Sequence, residues 1–466
     1  MRGILSFGGY VPYRRLDRQT IAPIAGGGGG RGTRSVASYD EDTTTMAVEA
    51  ARVALRDWPY GPPAALWFAT TAPAYADRTN ASAIHAALRL DRDVVAADAT
   101  GAVRSAVAVL RAALVGTEAS VVVAADLRSG LPGSADESAG GDGGAALFVG
   151  GEPDGPVLAE YLGGASATEE FLDRWRAPGE PRSKVWEERF GEGRYVSLGE
   201  EAWERALKHA GLVAGHVDRL VVVGTHARAA ATVAKQAAGP TTTVVGTLAE
   251  TVGHTGAAHP ALALTAALED ASPGEVVALV SLADGADVLV FRTTPALAEH
   301  RSARPVAAQV AAGGPIAYGK YLAWRGLLTV EPPRRPEPAR VSASASSRST
   351  DWKFGFVGTR NAASGEVRMP PALPGADPSA VLESAPMADV AGTIATYTVD
   401  RLAYSPSPPV MFAVVDFDGG GRLPVELTDA DPDGVSIGMR VEPTFRRLST
   451  ADGIHNYFWK VRPVRG

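Results

Sequence analysis

The chain has 466 residues and no cysteine. That excludes disulfides, thiolate nucleophiles and thiolate-held metal, and it removes the usual clue to redox compartment. Long apolar runs are missing as well: nothing approaches the roughly 18 consecutive apolar residues of a membrane span. The opening Met1-Arg-Gly-Ile-Leu lacks the apolar core and cleavage site of a secretory signal. A soluble, cytoplasmic protein with no membrane partner is expected. Nor is there an excess of cations. A net charge of −7 speaks against bulk attraction to nucleic acid or anionic lipid. What the sequence does have is length and apolar content for more than one core.

Up to residue 296, short β-rich runs alternate with helical stretches. Strands are predicted at 65–71, 94–98, 120–126, 145–149, 157–162, 219–225, 242–248, 276–282 and 288–292. Helices are predicted at 42–56, 103–114, 200–210 and 260–269, the second apolar nearly all round and hence buried. This alternation means a layered α/β fold. Residues 297–350 combine a short aromatic helix, Tyr318-Gly-Lys-Tyr-Leu-Ala-Trp, with a Pro/Ser-rich linker. From 392 to 466 five strands, at 393–399, 410–416, 422–427, 440–447 and 456–461, suggest a small OB-type Greek-key barrel. Its inward set is expected to include Phe412, Val414, Leu427, Val441 and Phe458. Such barrels often bind nucleic acid, and Phe445, Tyr457, Phe458 and Trp459 could stack bases. Charge argues otherwise: residues 351–466 carry 11 Lys or Arg against 14 Asp or Glu.

Several stretches then stand out in order: Phe7-Gly-Gly-Tyr-Val-Pro-Tyr, Tyr39-Asp-Glu-Asp-Thr-Thr-Thr, Asp136-Glu-Ser-Ala-Gly-Gly-Asp-Gly-Gly, Phe171-Leu-Asp-Arg-Trp-Arg, Val252-Gly-His-Thr-Gly-Ala-Ala and Ser281-Leu-Ala-Asp-Gly-Ala-Asp. Their order and spacing resemble the thiolase superfamily, in its hydroxymethylglutaryl-CoA synthase and ketoacyl synthase III branch. The resemblance implies two similar halves in a five-layered α/β/α/β/α fold, an acyl-CoA or acyl-carrier protein substrate, and a homodimer. The C-terminal part is similar to the OB domains that accompany thiolase-like enzymes behind a zinc ribbon. Here residues 351–391 hold Asn361, Ser364, Gly375 and Pro378 where the ribbon's cysteines would stand, so no metal and no cofactor beyond the coenzyme A of the substrate is expected.

The family's nucleophilic cysteine corresponds to Val103, its strand-end acid to Thr71, and its loop asparagine or histidine to His254. Its second histidine falls near Gly224, two residues from His226. On motif position His254, His226 and His259 are the catalytic candidates, with Tyr75 as a further acid or base. Thr71, Asp98, Thr100, Val103, Arg104, Trp175, Arg176 and Asp284 are the substrate-binding candidates. Each also admits a structural role, as a packed or hydrogen-bonded residue. Ser105 lies inside the helix with no paired base. Without a nucleophile, condensation through an acyl-enzyme is excluded, whereas aldol-type cleavage or formation of a C–C bond needs only a base and oxyanion donors. Direct acyl transfer without a covalent intermediate, and a non-catalytic acyl-CoA-binding or scaffold subunit, remain as alternatives.

Overall fold

The computed structural model describes residues 1–372 and 381–465. They form two compact units: Met1–Ala37, Asp42–Ser82 and Asp91–Tyr321 in the first; Ser38–Glu41, Ala83–Leu90 and Leu322–Gly466 in the second. The first unit thus runs 25 residues beyond the expected boundary at 296, and two short N-terminal segments belong to the second.

Ten strands build the first unit's main sheet: β1 (Arg2–Tyr10), β2 (Ala65–Thr70), β3 (Val95–Thr100), β4 (Ser120–Asp126), β5 (Gly143–Gly151), β6 (Ala159–Ala167), β7 (Arg219–Gly224), β8 (Thr243–Val244), β9 (Val276–Leu282) and β10 (Ala286–Thr293). Their spatial order is β8-β7-β9-β10-β6-β1-β5-β4-β2-β3. Number each half from its own first strand and both read 3-2-4-5-1, so the unit is a structural duplication. The halves join where β1 meets β6, at Gly3↔Glu160 and Ile4↔Ala159.

Helices α1 (Thr43–Leu55), α2 (Ser105–Val115), α3 (Glu188–Ala210), α4 (Ala227–Ala237) and α5 (His259–Glu269) complete the layers. α1 packs on β1, β4 and β5, whereas α3 packs on β6 and β10 and α4 on β7. Between the two halves, α5 touches strands of both and α2. One core therefore runs through the middle, from Phe7, Val107 and Leu147 to Leu262, Leu279 and Phe291, all buried. This is the α/β/α/β/α arrangement that the resemblance implied.

Local chemistry sets these elements. At α1 the Asp42 carboxylate accepts from Thr45 N (2.9 Å) and the Thr45 hydroxyl accepts from Asp42 N (2.9 Å), a reciprocal cap. Strand β1 escapes sequence reading because Gly8-Gly9 resembles a turn. In the fold Gly8 is where α1 comes closest, and a Cβ there would meet Ala50 O at 2.7 Å.

In the second unit β11 (Gly392–Asp400), β12 (Val410–Phe417), β13 (Arg422–Leu427), β14 (Arg440–Ala451) and β15 (Ile454–Pro463) close a barrel in the order β11-β12-β13-β15-β14. Leu427 and Val441 point inward as expected, but on β12 the inward residues are Met411, Ala413, Val415 and Phe417, leaving Phe412 exposed. The observed alternation is one residue out of phase with the expected one, which exchanges the two faces of a strand. Likewise Tyr457 and Trp459 are buried on β15 and Phe458 is not. Phe445, Tyr457 and Trp459 are core residues, unavailable for stacking on bases. Val357–Asn361, Val367–Arg368 and Leu382–Pro386 make a small three-stranded sheet. There the Asn361 side chain accepts from Ala363 N and Ser364 N in a turn. Gly375 and Pro378 lie outside the described residues. Among the described residues no group of three His, Asp or Glu is arranged to hold a metal ion.

Candidate active site

Strand ends supply the site, as open α/β sheets generally do. Loops after β2, β3, β4, β7 and β9 and the 174–183 segment surround a cavity of about 470 Å³. Val103 lines it, together with Thr71, Thr100, Trp175, Arg176 and Asp284. Six of the substrate-binding candidates are therefore brought together. A second, smaller pocket of about 50 Å³ is lined by His254, Ser129, Asp136 and Gly140, and shares Arg128, Arg174 and Thr225 with the first.

The acid at the end of β4 organises the floor. Asp126 is fully buried and accepts four hydrogen bonds, from the Thr70 hydroxyl (3.0 Å), Thr71 N (2.9 Å), the Thr71 hydroxyl (2.8 Å) and Ala257 N (2.8 Å). It thus pins the β2 end to the loop that carries His254. Gly256 in that loop has φ of 55°, and a Cβ there would run into the Asp126 carboxylate.

His254 N donates to Ala139 O (2.9 Å), and its Nδ1 accepts from Gly256 N (3.1 Å). An Nδ1 that accepts leaves the proton of the neutral ring on Nε2. Burial, then His259, Arg128 and Arg174 in turn, hold the His254 pKa well below its usual value. His259 Nδ1 accepts from Thr255 N (3.3 Å), and burial lowers its pKa to about 4. Both rings are neutral near pH 7. His254 can therefore donate from Nε2 to developing negative charge without itself being a cation.

The other candidates have different places. His226 caps α4: its Nδ1 accepts from Ala229 N (3.2 Å) and its Nε2 lies 2.9 Å from Glu188 O, so both ring nitrogens are engaged and it does not line the cavity. His259 is buried behind His254, at the start of α5. Tyr75 stays outside the lining too, with the Arg78 guanidinium 5.4 Å from its ring centroid. Asp98 accepts from Asn80 N (2.7 Å) and Ala81 N (2.8 Å), organising the chain after β2. Arg104 turns away from the cavity, binding Asp287 (2.7 Å) and the carbonyl of Asp284 (2.8 Å), and so fixes the start of α2 to the β9–β10 hairpin.

Sequence reading missed Arg128, Arg174, Asp126 and Tyr195. Arg128 follows a strand end just as Thr71 does, which was the available signal; Arg174 was masked by the adjacent Trp175-Arg176. Arg174 makes a two-pronged ion pair with Asp136, both contacts 2.7 Å. The Asp136 helix is itself held by Glu137, whose carboxylate accepts from the Tyr318 hydroxyl at 3.0 Å. Tyr195 sits behind Asp284 N at 3.4 Å, its pKa pushed up to about 12 by burial. Burial also raises the pKa of Asp284, partly offset by Arg104. Among the described residues the Asp284 carboxylate has no hydrogen-bond partner.

A duplicated five-strand α/β unit with cavity-lining loops at its strand ends defines a thiolase-like protein. Residues 207–290 match the family described as 3-oxoacyl-[acyl-carrier-protein (ACP)] synthase III C terminal, and 385–446 match ChsH2, C-terminal OB-fold domain. Over 298 residues the chain is 30% identical to the hydroxymethylglutaryl-CoA synthase of Pyrococcus furiosus, covering 62% of this chain and 85% of that protein. Similar folds include MvaS in complex with 3-hydroxy-3-methylglutaryl coenzyme A (TM-score 0.59, 22% identity, 72% of this chain, 94% of that one). Another is the HMG synthase of the curacin biosynthetic pathway in complex with acetyl donor-ACP (TM-score 0.57, 15% identity, 70% and 88%). The chain belongs to the hydroxymethylglutaryl-CoA synthase family, with an OB-fold domain appended.

Proposed function

We propose that this protein cleaves or forms a C–C bond on an acyl thioester, carried by coenzyme A or by a carrier protein, in an aldol-type reaction without an acyl-enzyme. One observation carries the reading. The cavity at Val103 offers an unpartnered carboxylate of raised basicity, Asp284, and adjoins a neutral imidazole, His254, through shared residues.

In the cleavage direction Asp284 takes the β-hydroxyl proton of a β-hydroxyacyl thioester. The O–H electrons form the carbonyl of the departing aldehyde or ketone, the Cα–Cβ bond breaks, and its electron pair moves into the thioester as an enolate. His254 Nε2–H donates to that enolate oxygen. Asp284 then returns its proton to Cα, so the sum is one β-hydroxyacyl thioester converted into a carbonyl compound and an acyl thioester. Neither water nor an oxidant is consumed. Two solved neighbours support the substrate class, one a complex with a coenzyme A ester and the other with an acetyl donor on a carrier protein. An open 470 Å³ cavity favours a ligand-binding site over a filled scaffold. Localisation in the cytoplasm and a homodimer through the first unit belong to the same reading. Among the described residues no helix is long and apolar enough to cross a membrane.

The test is a panel of β-hydroxyacyl-CoA esters followed by liquid chromatography and mass spectrometry. Release of a carbonyl product with an unchanged intact protein mass is expected. A stable acyl adduct on the protein, or turnover untouched by Asp284→Asn, overturns the mechanism.

A further inference from the structure

Asp284 stands at the tip of a tight turn that other elements clamp. The β9–β10 pairing ends at Leu282↔Ala286, leaving Ala283, Asp284 and Gly285 as the loop, and Ala283 N donates across it to Gly285 O at 3.0 Å. Asp284 has φ of 48°, a left-handed backbone that a residue with a side chain keeps only where its surroundings hold it. Arg104 supplies the hold on one side: its Nη1 donates to Asp284 O at 2.8 Å. On the other, Asp284 N donates to the Tyr195 hydroxyl of α3 at 3.4 Å. Arg104 is itself anchored. Its Nε and Nη2 fork onto the Asp287 carboxylate at 2.7 and 3.4 Å, and Nη2 also donates to Ala167 O, at the end of β6, at 3.4 Å. A Cβ on Gly285 would meet Arg104 Nη1 at 2.5 Å, so the glycine is what lets the guanidinium lie against the turn.

One planar group thus reaches β10, the end of β6 and the tip of the turn at once, in a fork that a flexible ammonium does not reproduce. Where it sits decides where the Asp284 carboxylate points. We propose that Arg104 is a positioning residue for the reaction: through the Asp284 carbonyl it holds the turn in its left-handed form and keeps the Asp284 carboxylate on the cavity wall. The inference rests on the thioester reading above, in which Asp284 is the base, and it adds the residue that aims that base. Arg104 also acts on the charge. Burial raises the Asp284 pKa, and Arg104 is the strongest influence drawing it back, joined by Arg174 and opposed by Asp173 and Glu170. Of the other groups nearby, Asp287 is paired with Arg104 and Tyr195 is a neutral phenol. Loss of the Arg104 cation therefore raises the Asp284 pKa further.

Steady-state kinetics of the full chain across pH, on the fastest ester of a β-hydroxyacyl-CoA panel that includes 3-hydroxybutyryl-CoA and 3-hydroxy-3-methylglutaryl-CoA, separate the outcomes. In Arg104→Met kcat is expected to fall at least about tenfold, on the scale of a misplaced reacting group, with KM little changed. Because the base must be ionised, the rate drops as pH falls below its pKa, and in Arg104→Met that acid limb moves to higher pH by about one unit. In Arg104→Lys the cation remains, so the limb stays at its wild-type pH while kcat stays low. Arg205→Met, on an exposed face of α3, changes neither. Wild-type kcat in either Arg104 variant, or a limb that stays put in Arg104→Met, overturns the positioning role and leaves the thioester reading standing where Asp284→Asn removes the limb. Turnover untouched by Asp284→Asn, or no turnover of any ester in the panel, overturns the inference and the thioester reading together. Should Arg104→Met not fold, a crystal structure of Arg104→Lys decides: Asp284 is expected to leave positive φ or its carboxylate to leave the cavity wall, and an unchanged turn overturns the inference.

Discussion

The imidazole rings of His254 and His259 lie 4.3 Å apart, tilted by 31°, and neither can readily take a proton in the folded chain. The linkage to stability has a definite sign. In the unfolded chain both titrate near pH 6.5. As pH falls below that value the unfolded state gains protons that the folded state refuses, so stability drops through the window from about 6.5 to about 4, where folded His259 finally titrates. For His259 alone the loss is on the order of 3 kcal/mol. Chemical denaturation between pH 4.5 and 8 checks this. His259→Gln, which can still accept from Thr255 N, should flatten the acid limb by about one proton; an unchanged slope contradicts the assignment.

Above that window the neutral ring is the useful one. As a hydrogen-bond donor to an enolate, His254 should contribute a few kcal/mol, so His254→Ala lowers kcat by roughly 10²–10³-fold. As base, Asp284 should contribute roughly 10²–10⁴-fold, and Asp284→Asn removes that without closing the cavity. The pH profile separates the two. Loss of the acid limb in Asp284→Asn identifies the carboxylate as the titrating base, whereas His254→Ala lowers the plateau and leaves the limb in place. A profile whose limb moves with His254 instead would reverse the roles.

Most of the architecture was legible from apolar runs, since β4 and β9 are buried along their full length and α2 is apolar nearly all round. What failed did so for identifiable reasons. Strand β1 hid behind glycines whose missing Cβ atoms serve close packing, and helix α4 behind a run of alanines with only Ala229, Val233 and Ala237 facing inward. Site residues were legible where the motif itself lines the cavity, as at Val103 and His254. They were not where a partner distant in sequence makes the geometry. Nothing near Asp126 announces that Ala257 will donate to it, and nothing near Arg174 announces Asp136.

Arg446 and Lys460 carry a different burden. Within the second unit Arg446 is fully buried, bonded to Glu41 and to Asp429 (2.7 Å), while Lys460 Nζ lies 3.0 Å from Asp40. Both cations answer the tetrapeptide Ser38–Glu41. Removing one member of such a network strands buried carboxylates, so Arg446→Met should cost about 3–5 kcal/mol in urea denaturation. The two cations hold the Asp40 pKa below its ordinary value despite burial. Its stabilising contribution is therefore full above about pH 3.9 and is lost as pH falls through the depressed folded value. A loss under about 1 kcal/mol for Arg446→Met would mean that the cluster is solvated in solution.

Val103 stands two residues before α2, on the wall of the larger cavity, where a side chain faces both the cavity and the N-terminal end of a helix dipole. A thiol placed there should be acidified by that helix end and accessible to small electrophiles. Val107, one turn further along, is 1% exposed and packs into the central core. Because the chain has no other cysteine, each single variant reports one position without background. Val103→Cys should be alkylated by iodoacetamide and should take one acetyl group from acetyl-CoA, both read by intact-mass spectrometry, while Val107→Cys takes neither. Acetylation of Val103→Cys would demonstrate that the cavity delivers a thioester carbonyl to position 103. Alkylation without acetylation would mean that the cavity is open but orients no acyl-CoA there, and equal labelling of both variants would mean that Val107 is not buried as described.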